Sequence, residues 1–260
     1  MTIRAVVFDI GSVLEVIDES VFPGPFEQRH DLAAGAVLGV PEWPGDAGIG
    51  EVTEAEVRAH WQQHLALSDA QADELMRDYW TWYCGTLDQP LFDWFVAQRP
   101  QRRTGILSNS GPGAREAERM WGFEDVTDDI VYSHEVRLRK PDPAIYVLTA
   151  ERLGVAPHEI VFLDDVVANI DAARRAGWHA VLHVDTATSR RSSTPSGREG
   201  RPSTLQQGRG RPRATSATLL HAVGRHWPSM TPTGSRTKPG KTEAVLTPNR
   251  PATTSASTLR

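Results

Sequence analysis

The 260-residue chain predicts an α/β fold: a parallel sheet with helices on both faces, a small α-helical cap, and a disordered C-terminal tail. Three observations carry this prediction. Short apolar runs alternate with helical patterns between residues 103 and 184, as strands buried on both faces require. Residues 15–100 break that alternation and read as mostly helical. From Arg190 onward, 13 Lys and Arg stand against two acids, whereas the first 189 residues hold 15 basic and 31 acidic groups.

The elements follow in order. Residues 3–9 (IRAVVFD) form a short apolar run closed by a polar turn, which predicts a buried strand. Residues 103–108 (RTGILS), 129–133 (DIVYS), 159–164 (EIVFLD) and 179–184 (HAVLHV) read alike. Helices are expected between them at 113–121, 142–154 and 165–177. The second has Asp142 as N-cap, Pro143 at its first position and Gly154 as its stop. Within 15–100, Thr53 with Glu56 and Ser68 with Gln71 predict two capping boxes. Val57, Trp61, His64 and Leu65 share one helical face, and Leu75, Tyr79, Trp82 and Tyr83 another; residues 88–99 make a further helix. A helical insert of this size behind the first strand suggests a cap over the sheet edge. The expected divisions are therefore a core of 1–14 and 101–186, a cap of 15–100, and a tail of 187–260. The tail is rich in Ser, Thr, Pro, Gly and Arg and buries too little apolar surface to offset chain entropy.

Composition narrows the function classes. The single cysteine, Cys84, rules out an intrachain disulfide, and nothing points to secretion. No apolar stretch reaches the length of a membrane span, and the N-terminal apolar run is cut short by Asp9. A cytoplasmic protein is expected, as a monomer or homodimer. The nine histidines show no metal-ligand spacing.

Chemistry collects at the predicted strand ends, where open parallel sheets bind ligands. Asp9 ends the first strand, Ser108-Asn109-Ser110-Gly111 the second, and Asp164-Asp165 the fourth. Lys140 precedes a helix and is the only lysine in the first 189 residues. Three carboxylates, an ammonium and a hydroxyl with a turn of backbone N–H groups suit a phosphate held against a divalent cation. A carboxylate so placed can attack phosphorus. Each residue also has a plainer reading: Asp9 as a turn residue, Asp164-Asp165 as helix caps, Lys140 as a surface charge. Asn169 is a candidate support for the acidic pair. The cap tryptophans Trp61, Trp80, Trp82 and Trp94 read as packing.

Four stretches, VVFDIGSVL, GILSNS, RKPDPAIY and VFLDDVVANIDAARRAG, resemble the four motifs of the haloacid dehalogenase-like hydrolase superfamily, in the same order. The resemblance covers about residues 3–184. It implies a Rossmann-like sheet with a helical cap, and Mg²⁺ as cofactor. It implies Asp9 as nucleophile and metal ligand, with Gly11 offering its backbone carbonyl to the metal. Ser108 and Asn109 would bind phosphate, Lys140 would be the catalytic lysine that also meets the phosphate, and Asp164 and Asp165 the acidic pair, Asp165 being the more direct ligand. The expected activity is a phosphoric monoester hydrolase acting on a small phosphorylated metabolite through an aspartyl-phosphate.

Gly11 departs from the usual pattern. Phosphatases of this superfamily commonly carry a second aspartate there as general acid and base. An FD-x-G-x-V stretch resembles the branch of sugar-phosphate phosphatases and epoxide hydrolase N-terminal domains. Glu15 and Asp18 are the nearby candidates for the missing acid. The alternative is a phospholigand-binding module that has lost turnover. The cap lacks the lysine that phosphonate cleavage would need, and the acidic pair does not suit metal-free dehalogenation. In the tail, GRGRPR (208–213) resembles a minor-groove-binding core, though chance accounts for it in so Arg- and Gly-rich a segment. Nucleic-acid contact is expected only as weak, salt-dependent binding by that tail.

Overall fold

The computed structural model describes residues 2–41 and 43–193. The expected tail and its GRGRPR string lie outside those residues beyond Ser193.

Five parallel strands form the main sheet: β1 (Ala5–Phe8), β4 (Arg103–Ser108), β5 (Asp129–Tyr132), β6 (Ile160–Asp164) and β7 (His179–Leu182). Their order is β5-β4-β1-β6-β7, which places β1 at the centre. Helices cover both faces, giving a Rossmann-like architecture. Alternation along β1 explains the two packed layers. Ala5 and Val7 face a layer with Phe162, Tyr146 and Ile170, while Val6 and Phe8 face one with Leu91, Phe95 and Ala114.

The first layer is built by α8 (Pro143–Leu153) and α9 (Val167–Arg175). Asp142 caps α8 by accepting the Ala144 N–H, and Gly154 ends it in the left-handed conformation, as the sequence predicts. The opposite layer includes α4 (Gln89–Val96) and α5 (Ala114–Glu118). Helix α4 falls within the stretch expected as cap, and its Leu91 and Phe95 pack on the sheet, with the Phe95 ring 4.9 Å from that of Phe8.

The insertion itself holds a short ladder of β2 (Glu15–Val16) with β3 (Thr86–Leu87), then α1 (Gly24–Arg29), α2 (Glu54–His64) and α3 (Asp69–Cys84). Both predicted capping boxes form, at Thr53/Glu56 and Ser68/Gln71. Trp61, Leu75 and Tyr79 build its own apolar cluster, with Trp80 and Trp82 against it. Between β4 and β6, α6 (Phe123–Val126) precedes β5 and α7 (Ser133–Val136) follows it. A last helix, α10 (Thr186–Ser193), packs on the core, with the Thr186 hydroxyl donating to Asp88 at the start of α4. The boundary expected at 186 therefore falls at the head of a helix. No helix of the described residues is long and apolar enough to cross a membrane.

Candidate active site

Strand order decides what meets. β1 lies between β4 and β6, where the chain order reverses, so the residues ending these strands converge. Phe8 pairs with Ile106 on one side and Leu163 on the other. The Asp9 N–H then donates to the Leu163 carbonyl at 2.9 Å, which seats Asp9 beside Asp164.

Lys140 enters between the two carboxylates from the segment after α7. Its Nζ lies 2.8 Å from Asp9 Oδ1 and 2.7 Å from Asp164 Oδ2, and the residue is 1% exposed. Burial works against its charge. Asp164 and Asp9 outweigh that and hold its pKa above the usual lysine range. The solvated-surface reading of Lys140 is therefore excluded. Removing one member of so buried a pair strands the other charge, typically at about 3–5 kcal/mol.

Asp9 Oδ1 also accepts the Ile10 N–H at 2.9 Å. Burial is the largest influence on this carboxyl. Lys140 pulls its pKa down, Asp164 and Asp165 push it up, and the net result is about 7. One oxygen from each of Asp9, Asp164 and Asp165 lies within 4.8 Å of the others. Three hard oxygen donors so gathered fit a divalent cation such as Mg²⁺.

The acidic pair divides its labour. Asp164 Oδ1 accepts the Val166 N–H at 2.8 Å, in the turn ahead of α9, whose N-cap is Val166 and carries no side-chain cap, so the helix-capping reading does not hold. Asn169 Nδ2 donates to both Asp164 oxygens at 3.1 Å, as its place on α9 allows. With Lys140 on Oδ2, Asp164 is engaged on both sides, while Asp165 is only half-buried. Asn109 takes a position the sequence does not reveal. Its Nδ2 donates to the Lys140 carbonyl at 2.9 Å, and its Oδ1 accepts the Lys140 N–H at 2.8 Å. It clamps the lysine segment to the β4 loop. Ser108 is buried, and its hydroxyl makes one long contact, 3.5 Å, with the Asn109 carbonyl. Gly11 bridges Glu15 in a short parallel pairing beside the motif-one turn.

The two acid candidates separate. Asp18 is exposed and accepts from the Ser20 N–H at 2.9 Å and its hydroxyl at 2.6 Å, which lowers its pKa. Glu15 is buried, with Oε1 accepting the Trp121 indole N–H at 2.9 Å. Burial, then the neighbouring Glu118, raises its pKa well above the carboxylate range. Other residues at this edge escape sequence reasoning: Ser133, His134, Asp46 and Arg139 form a network with Ser110 of the β4 loop and with Gly48. Ser133 and His134 directly follow a strand, which was the available signal.

Comparison with known proteins places the chain. A family model described as haloacid dehalogenase-like hydrolase matches residues 3–177. A phosphatase of Mycobacterium tuberculosis, MT3486, is 29% identical over 200 residues, covering 70% of this chain and 88% of that one. The fructose-1-phosphate phosphatase YqaB of Escherichia coli is 29% identical over 164 residues, covering 61% and 81%. Pig bifunctional epoxide hydrolase 2 is 35% identical over 85 residues, 33% of this chain but 15% of that protein. Among solved structures, HAD family enzyme BT-2542 of Bacteroides thetaiotaomicron, in complex with magnesium and inorganic phosphate, superposes with a TM-score of 0.57 at 20% identity. That match covers 69% of this chain and 93% of the other, and it shows the shared fold. With four motifs in register, their residues gathered at one sheet edge, and a family match over residues 3–177, the chain belongs to the haloacid dehalogenase-like hydrolases.

Proposed function

We propose that the chain is a Mg²⁺-dependent phosphatase of a small phosphorylated metabolite, working through an aspartyl-phosphate on Asp9. The observation that carries this reading is the buried Asp9–Lys140–Asp164 array beside Asp165 at the β1 end. Asp9, Asp165 and the Gly11 carbonyl would hold the cation, with Asp164 held in support by Lys140 and Asn169. Bound Mg²⁺ supplies positive charge against the phosphate oxygens and the Asp9 carboxylate. A cation there favours the ionised form of a carboxyl that otherwise titrates near 7.

Asp9 Oδ1 is held by Lys140 and the Ile10 N–H, leaving Oδ2 as the attacking atom. The Oδ2–P bond forms as the bond from phosphorus to the leaving oxygen breaks, and that oxygen takes up a proton. Water then attacks the phosphorus, frees inorganic phosphate and restores Asp9. Lys140 offsets charge on Asp9 throughout. The relative named for fructose 1-phosphate makes sugar phosphates the first members of a substrate panel.

The test is hydrolysis across that panel with Mg²⁺. Phosphate release should be abolished by EDTA and by Asp9→Asn. Turnover that persists in Asp9→Asn would reject the reading.

A further inference from the structure

We propose that the cap segment 46–50 is a positioning element of the phosphate site, acting through Ser133 and Arg139 on the Ser108–Gly111 loop and on Lys140. This rests on the phosphatase reading above and adds residues that the four motifs do not contain.

The chain of contacts is short. The Ser110 N–H donates to Ser133 Oγ at 2.9 Å, and the Ser110 hydroxyl lies 2.9 Å from His134 Nδ1. The β4 loop is thus pinned to the first turn of α7. Ser133 in turn is tied to the cap: its hydroxyl lies 2.7 Å from the Gly48 carbonyl. A second tie runs from Asp46, whose Oδ2 is 2.7 Å from Arg139 Nη1, to the residue that precedes Lys140. Asp46 Oδ1 meanwhile accepts the Gly48 N–H at 2.9 Å, so one carboxylate both shapes the cap turn and holds Arg139. Ser133 is fully buried, so its own bonds are shielded from competing water.

Ser133 makes the arrangement responsive. Its hydroxyl has one proton and two carbonyls in reach, Gly48 at 2.7 Å and Ser110 at 3.2 Å. With the cap segment seated, the shorter bond goes to Gly48, and the Ser110 carbonyl keeps its own place in the loop. Withdraw the segment and the proton turns to Ser110, and the anchor of the phosphate loop changes. Seating is possible only because of Gly50. It sits in the left-handed region at φ 69, and a Cβ there would come within 2.1 Å of the His134 carbonyl oxygen.

The experiment measures inorganic phosphate binding in the presence of Mg²⁺ by calorimetry, on wild type, Ser133→Ala, Gly50→Ala and Gly24→Ala. Mg²⁺ binding without phosphate is followed in parallel by thermal shift. Gly24 lies in the cap with no atom within 4 Å of its would-be Cβ and serves as the control. Ser133→Ala and Gly50→Ala should each weaken phosphate binding by roughly five- to tenfold, the worth of about one hydrogen bond, with Mg²⁺ binding and Gly24→Ala unchanged. Folded Ser133→Ala or Gly50→Ala protein that binds phosphate as wild type does, even at a lower melting temperature, overturns the proposal. So does an equal loss of Mg²⁺ and phosphate binding, which marks a structural role. If either variant fails to fold, the other decides. Wild type that does not bind phosphate at all instead removes the phosphatase reading.

Discussion

At the scale of single residues, Gly11 is where this chain differs most from a fully equipped phosphatase. Glu15 is buried and bonded to the Trp121 indole, and Asp18 is an exposed carboxylate bound to Ser20. Position 11 itself carries no group that could donate a proton. General acid–base catalysis contributes about 10²–10⁴ in rate. Wild type should therefore hydrolyse p-nitrophenyl phosphate, whose leaving group needs little protonation, disproportionately well beside sugar phosphates. Gly11→Asp should raise the rate on poor leaving groups by up to roughly 10²–10⁴-fold. The left-handed residue of the turn is Ser12, at φ 55, which favours accommodation of a side chain at position 11. Steady-state rates on both substrate types check this, once the variant is shown to fold and bind Mg²⁺. An unchanged ratio would mean that another group already donates the proton.

At the scale of elements, two features yield predictions. The capping box at the start of α2 joins the Thr53 N–H to Glu56 at 2.7 Å and the Glu56 N–H to the Thr53 hydroxyl at 3.3 Å. Thr53→Ala should cost about 1 kcal/mol, read as a lower urea midpoint with an unchanged slope. The second feature is Glu118 on α5, which accepts the Tyr132 hydroxyl at 2.5 Å from β5. Burial, the largest influence, together with the charge of Asp9 pushes its carboxyl up to about 8 despite that hydrogen bond. The unfolded chain loses this proton in the ordinary carboxylate range. Between that range and about pH 8 the folded chain binds the extra proton, so stability falls as pH rises through the window. Glu118→Gln should flatten that fall in melting temperature, and parallel slopes for the two proteins would contradict it. Sequence patterns located these elements where local chemistry sets them: the caps at Thr53, Ser68 and Asp142 all stand where expected. Helix α9 starts two residues later than expected, because the Asp164 side chain takes the Val166 N–H. That helix α4 packs on the sheet was not legible, because an apolar stripe shows that a face is buried, and not which layer receives it.

At the scale of the whole molecule, the site was legible because parallel strands carry their chemistry to one edge. Asp9, Ser108 and Asp164 could be read from strand ends, and Lys140 from its isolation as the only lysine of the first 189 residues, where arginine supplies the other strong bases. Contacts between distant segments left no such trace. That Asn109 clamps Lys140, or that Asp46 meets Arg139 across 93 positions of sequence, depends on how cap and sheet come together. The central claim is that Asp9 becomes covalently phosphorylated during turnover. It is tested most directly by quenching the enzyme in acid during hydrolysis of its best substrate, then reducing with borohydride and mapping peptides by mass spectrometry. The account predicts a phosphoryl group on the peptide containing Asp9, converted by borohydride to homoserine at that position. Steady hydrolysis with Asp9 unmodified, or with the phosphoryl group on another residue, would contradict it.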